Sequence, residues 1–232
     1  RRMNLLLNKF RKFYLLLFVT IIGCESPTTQ SPLYLPQGFE ATVFVDSITE
    51  TVRHMAVNEN GDLYTKFKRP SEAGVMAAIR DLNNDGVADT LVKFGEYHLP
   101  QRGNYSTAAR IYKGYLYFSS QLTVYRIKLD EENLVPTGAA EIIVHDDHAH
   151  GSHEHIGKPI AFDEEGHIFV PFGAPNNACQ LPKRTPLVPG QDPCPLLVDH
   201  GGIWRFDAEK IGQTQKDGEF YASGLRSIVA LD

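Results

Sequence analysis

The chain has 232 residues, 42% of them hydrophobic, with 23 Lys+Arg against 28 Asp+Glu and a net charge of −5. Apolar content at that level supports a sizeable buried core. The mild acidity excludes a polyphosphate binder, which needs a concentrated basic surface, so no nucleic-acid partner is expected.

The first 24 residues differ from the rest. Lys9, Arg11 and Lys12 precede the apolar run 13–22, which Gly23 and Cys24 follow. A basic flank before about ten apolar residues is a secretory signal, too short to span a bilayer as a helix. The ending IIGC resembles a bacterial lipobox, with Cys24 as the lipidated residue; an ordinary signal peptide with a chance cysteine is the alternative. The expectation is a lipoprotein signal over 1–24 and a polar tether over 25–34. The protein would then be exported in a bacterium, periplasmic or anchored at the outer membrane, and touch the membrane through lipid alone.

From residue 35 a propeller is expected. The stretch 39–45 (FEATVFV) reads as a strand. Three self-similar segments follow: RHMAVNENGDLYTKF from Arg53, STAARIYKGYLYFSS from Ser106 and KPIAFDEEGHIFVPFG from Lys158. Their shared glycines are Gly61, Gly114 and Gly166, at spacings of 53 and 52, each with an aromatic three positions later (Tyr64, Tyr117, Phe169). Short strands repeating at that period read as blades of an all-β propeller built from four-stranded antiparallel units. The blades are placed at about 53–94, 106–146 and 155–222, with a fourth beginning at 223. The reading is a truncated ring of about three blades out of six. Each third strand carries an arginine among apolar residues, namely Arg80, Arg126 and Arg205.

Between blade strands, DLNNDGVADT supplies Asp81, Asn83, Asp85, Gly86 and Asp89. Alternate oxygen side chains with glycine at the sixth position match the first half of a calcium loop, but the twelfth position is Val92. A tight Asx turn without an ion fits equally. The tract HDDHAHGSHEH, 145–155, offers imidazoles with Asp146, Asp147 and Glu154 to a divalent metal, or is a solvated loop. His155 stands apart, three residues before Lys158, at the channel end of its blade, where a histidine is suited to act as general base.

Eight residues before the repeat glycine sit Arg53, Ser106, Lys158 and, by extrapolation, Arg226. Three cations around one channel mouth point to an anionic ligand; pairing of each with a nearby carboxylate is the plainer alternative. Cys179 and Cys194 lie in one Pro- and Gly-rich loop of an exported chain, which favours a disulfide over a metal pair lacking C-x-x-C spacing.

Several of these segments together, LPQGFEATVFV, RHMAVNENGDLY, HIGKPIAFDEEGHIFVPFGAPNNACQ, PGQDPC, HGGIWRF and YASGLRSIVALD, resemble the pyrroloquinoline-quinone (PQQ) dependent glucose/sorbosone dehydrogenases, six-bladed propellers that oxidise sugars. The resemblance implies PQQ and calcium as cofactors, a sugar or related hydroxyl or aldehyde substrate and a separate electron acceptor. It places the catalytic base at His155 and cofactor contacts at Arg226 and Lys158, with Ser227 where the family has asparagine; Arg53 joins the cofactor contacts from its repeat position alone. Two other classes fit a propeller lipoprotein: a metal-dependent hydrolase or lactonase, and a scaffold that binds glycans or partners without catalysis.

Overall fold

The computed structural model describes residues 33–95, 108–149 and 155–232. The chain divides into two compact units, Arg1–Thr42 and Val43–Asp232. The leader and Cys24 lie outside the described residues. In the first unit, 33–42 carries no regular strand, only a turn in which Phe39 N–H donates to Pro36 C=O at 3.1 Å.

The second unit holds three sheets. The first is β1 (Val52–Val57), β2 (Leu63–Ser71), β3 (Gly74–Arg80) and β4 (Thr90–Phe94), paired antiparallel in chain order. The second is β5 (Ala109–Tyr112), β6 (Tyr115–Ser119), β7 (Thr123–Lys128) and β8 (Glu141–His145), again antiparallel in order. The third joins β9 (Ala161–Phe162), β10 (His167–Phe172), β11 (Gly202–Asp207) and β13 (Glu219–Ser223). A two-residue strand, β12 (Gln213–Thr214), leaves the third blade and pairs parallel with β8, making the second sheet five-stranded. This meander, repeated three times, is a β-propeller architecture. No helix among the described residues is long and apolar enough to cross a membrane.

The repeat glycines explain the hairpins. Gly61, Gly114 and Gly166 all adopt positive φ, at 89°, 76° and 101°, which a side chain at the turn would strain. The aromatic three residues later is buried where it is tyrosine, and its hydroxyl ties one blade to the next. Tyr64 donates to Leu134 C=O at 3.0 Å, and Tyr117 to Ala208 C=O at 2.8 Å. Apolar clusters fill the same seams. One packs Tyr64, Met76, Leu116, Phe118 and Ile127 between the first two sheets. Another packs Tyr117, Val144, Ile168, Phe172, Trp204 and Phe206 between the second and third.

The third-strand arginines all bond a carboxylate within their own blade. Arg80 binds Asp62 through two contacts of 2.6 Å, Arg126 binds Glu141 at 2.7 Å and Arg205 binds Glu219.

The expected strand over 39–45 is corrected, because no strand forms there. A strand needs a ladder partner, and in the second unit this segment makes one such bond, from Ala88 N–H to Phe44 C=O at 2.8 Å. Phe44 and Val45 instead cover the face of the first sheet around Phe67, Ala77 and Ile79.

Candidate functional site at the upper edge of the third blade

The backbone at the end of β10 joins the two residues on which a catalytic reading rests. Ala174 C=O accepts from His155 N–H at 3.2 Å and faces His155 Nδ1 at 2.8 Å, while Ala174 N–H donates to Arg226 C=O at 2.9 Å. After β13 the chain crosses the top of its own sheet, fixed by Leu225 N–H to Gly201 C=O at 2.8 Å and by Gly201 N–H to Phe172 C=O at 2.7 Å. His155 and Arg226, 71 positions apart in sequence, are thereby held on either side of one residue. Close approach is obligatory here, since a Cβ on Gly173 would overlap the carbonyl of His155.

A carbonyl oxygen only accepts, so in the neutral imidazole Nδ1 of His155 carries the hydrogen and the lone pair sits on Nε2. That is the tautomer a general base needs. Arg226 is exposed, and its Nη1 donates to Asn177 Oδ1 at 3.1 Å, leaving further guanidinium donors for a ligand. Arg226, Asn177 and Ala174 line a cavity of about 190 Å³ together with His200, Leu197 and the Cys179–Cys194 disulfide. The two cysteines are joined with Cα atoms 5.9 Å apart. Asn176, within the same loop, caps it by accepting from Ala178 and Cys179 N–H at 3.1 and 2.5 Å.

Lys158 requires a correction as a contact for a channel ligand. Its side chain is 1% exposed, with Nζ 2.6 Å from Asp146 Oδ2 and 4.6 Å from the centre of the Phe172 ring. Burial pushes its pKa down and the Asp146 carboxylate pulls it back up. The other Asp146 oxygen holds His148 Nδ1 at 2.9 Å, and the His148 ring lies 4.7 Å from that of His200. Lys158 therefore braces the wall of the cavity from behind instead of facing into it. Sequence reasoning missed this because the partner comes from the neighbouring blade; the signal available was Asp146 in the histidine tract.

Arg53 is exposed on β1, at the irregularity between the Val52↔Phe67 and His54↔Lys66 pairs, and lines neither that cavity nor the one described below. The histidine tract does not gather as one metal site among the described residues. His145 bonds Thr123 and His148 bonds Asp146, while 150–154 lie outside them.

The loop around Asp81 folds as a tight Asx turn. Asp81 accepts from the backbone N–H groups of Asn83, Asn84 and Gly86 at 3.1, 2.7 and 2.8 Å. Asn83 accepts from Asp85 N–H, Asp85 from Val87 N–H, and Asp89 from Leu82 N–H at 2.7 Å. Those amides hold Asp81 below the usual carboxylate range. Among the described residues, the three His, Cys, Asp or Glu side chains whose ligand atoms all lie within 4.8 Å of one another are Asp163, Glu165 and His167, not those of this loop.

No protein-family model matches the chain, and no curated protein does. Solved structures do. A calcium structure of a Trichoderma reesei carbohydrate-active enzyme of family AA12 is similar at TM-score 0.58 and 12% identity, covering 80% of this chain and 43% of that one. The holo form of the PQQ domain of pyranose dehydrogenase from Coprinopsis cinerea is similar at TM-score 0.53 and 12% identity, covering 76% and 39%. At these identities the likeness establishes the fold, and the chain spans about two fifths of each of those structures.

Proposed function

We propose that this chain is part of a PQQ-dependent dehydrogenase that oxidises a sugar or related hydroxyl or aldehyde compound and passes electrons to a separate acceptor. The observation that carries the proposal is the His155–Ala174–Arg226 junction, set on a fold shared with a PQQ domain and an AA12 enzyme.

The residues present fit the cofactor in their chemistry. PQQ is a flat ortho-quinone with three carboxylates, and Arg226 offers an exposed guanidinium, with planar donors, beside an open cavity. When bound, the quinone would supply the hydride acceptor. Arg226 is the proposed anion contact at this cavity, Arg53 lies away from it, and Lys158 supports the wall. His155 is the proposed base: Nε2 takes the proton from the substrate hydroxyl, while the bond from Nδ1 to Ala174 keeps the ring in the receptive tautomer. Arg226 stabilises negative charge developing on an oxygen beside it, a fixed electrostatic contribution of a few kcal/mol. Export as a lipoprotein through Cys24 belongs to the same proposal.

The test is to add PQQ and calcium to the full-length apo-protein and screen aldoses with a dye acceptor. PQQ-dependent dye reduction by at least one sugar is expected. A protein that binds no PQQ under these conditions overturns the proposal.

A further inference from the structure

Among the described residues two lysines are buried to the same degree, and one of them has a described carboxylate to meet its charge. Lys158, 1% exposed, has the Asp146 carboxylate at 2.6 Å. Lys66, 2% exposed in the middle of β2, has one hydrogen bond, of 3.4 Å, to the carbonyl of its own neighbour Phe67. A buried ammonium without a counter-charge is strongly disfavoured, because burial removes its hydration and nothing replaces it. Burial accordingly draws the Lys66 pKa down to about 8, which still leaves the amine protonated at neutral pH.

A second unmet group stands opposite. His54 on β1 is the cross-strand partner of Lys66, so both side chains leave the same face of the sheet. His54 Nε2 is buried and has no hydrogen-bond partner. Buried polar atoms are paired in the large majority of cases, so an unpartnered imidazole nitrogen opposite an ammonium with no described counter-charge points to something that satisfies both. His54 also lines a cavity of about 120 Å³ with Met55, Arg110, Ile160 and Leu231, where the inner strands of the blades converge. The surroundings are positive: the Arg53 and Arg110 charges, after burial, are what hold His54 in its neutral form. Arg110 itself pairs with the carboxylate of Asp232, at 2.9 Å and almost fully exposed.

We propose that Lys66 and its cross-strand partner His54, with Arg110 on the wall of the cavity that His54 lines, form a site for a small oxyanion at the inner end of the first blade. A planar carboxylate or a tetrahedral phosphate brings both the negative charge that Lys66 lacks and acceptor oxygens for its ammonium and for an Nε2–H tautomer of His54. Water would satisfy the hydrogen bonds but not the charge. The site is separate from the Arg226 cavity, with which it shares no lining residue, and does not depend on the dehydrogenase reading.

The experiment uses the full-length protein, dialysed into chloride buffer without PQQ or sugar. Its thermal midpoint is followed as inorganic phosphate, and separately acetate, replaces chloride at constant ionic strength. At an oxyanion concentration about a hundredfold above the dissociation constant, a saturating rise of about 5 °C is expected with at least one of the two. Lys66→Met, which keeps the length of the side chain and removes its charge, should fold and lose that rise. His54→Gln should weaken it. An equal rise in wild type and Lys66→Met, or no saturating rise in the wild type with either anion, overturns the proposal.

Discussion

At the scale of single residues, burial separates charges that look alike in sequence. Lys66 is drawn from 10.5 to about 8, a difference worth about 3 kcal/mol against the fold while the amine is charged in both folded and unfolded states. Below about pH 8 both states hold the proton and the full penalty is present. Between about 8 and 10.5 the folded state releases it first, so stability gains as pH rises, and above that range the penalty is gone. In oxyanion-free buffer Lys66→Met should therefore be more stable than wild type at pH 7, and the gap in denaturation midpoint should narrow by pH 10. A constant gap would contradict this account of Lys66. Nothing in the string YTKFK marks this lysine as buried, because alternation along a strand does not say how deeply each face is covered. Lys158 was opaque because its carboxylate lies across a blade seam.

Among elements, equivalent positions in the repeat carry unequal energies. Arg80 neutralises Asp62, which is 1% exposed, whereas Arg205 meets a Glu219 that is largely solvated. Arg80→Met strands a buried carboxylate and should cost about 3 kcal/mol, while Arg205→Met, at a solvent-screened pair, should leave stability essentially unchanged; urea denaturation of the two variants measures the contrast. Tyr117→Phe removes the bond to Ala208 that links the second and third blades and should cost about 1 kcal/mol. Reduction of Cys179–Cys194, which closes a separation of 15 residues, should lower stability by about 3 kcal/mol on the loop-closure estimate. It should also loosen Asn177 and, through it, Arg226. Scanning calorimetry with and without reductant checks the first effect. The hairpins were legible in sequence because glycine at a positive φ and an aromatic at fixed offset are local requirements. The stretch 39–45 misled because alternating apolar residues specify a surface to bury, not a ladder partner. The two residues of β12 are too short for any periodic signal, and only their pairing with β8 defines them.

For the whole molecule, the repeat gave the all-β propeller architecture, and this chain spans about two fifths of the solved structures that share it. The site was legible in part. His155 and Arg226 stand out on motif resemblance, and the backbone of Ala174, which no motif marks, is what joins them. The loop around Asp81 shows the reverse, a strong metal-like pattern that backbone amides satisfy. The lipoprotein proposal is tested apart from the fold: Cys24→Ser should abolish incorporation of radiolabelled fatty acid, and incorporation into that variant would contradict it. The central claim, that His155 serves as base beside a cofactor held by Arg226, is tested most directly by His155→Ala in the full-length protein, with turnover and PQQ affinity measured on the same preparation. Turnover should fall by about 10² to 10⁴, the range for loss of a general base, with PQQ affinity essentially unchanged because the cofactor carboxylates are held elsewhere. Full PQQ-dependent activity in His155→Ala would contradict the account.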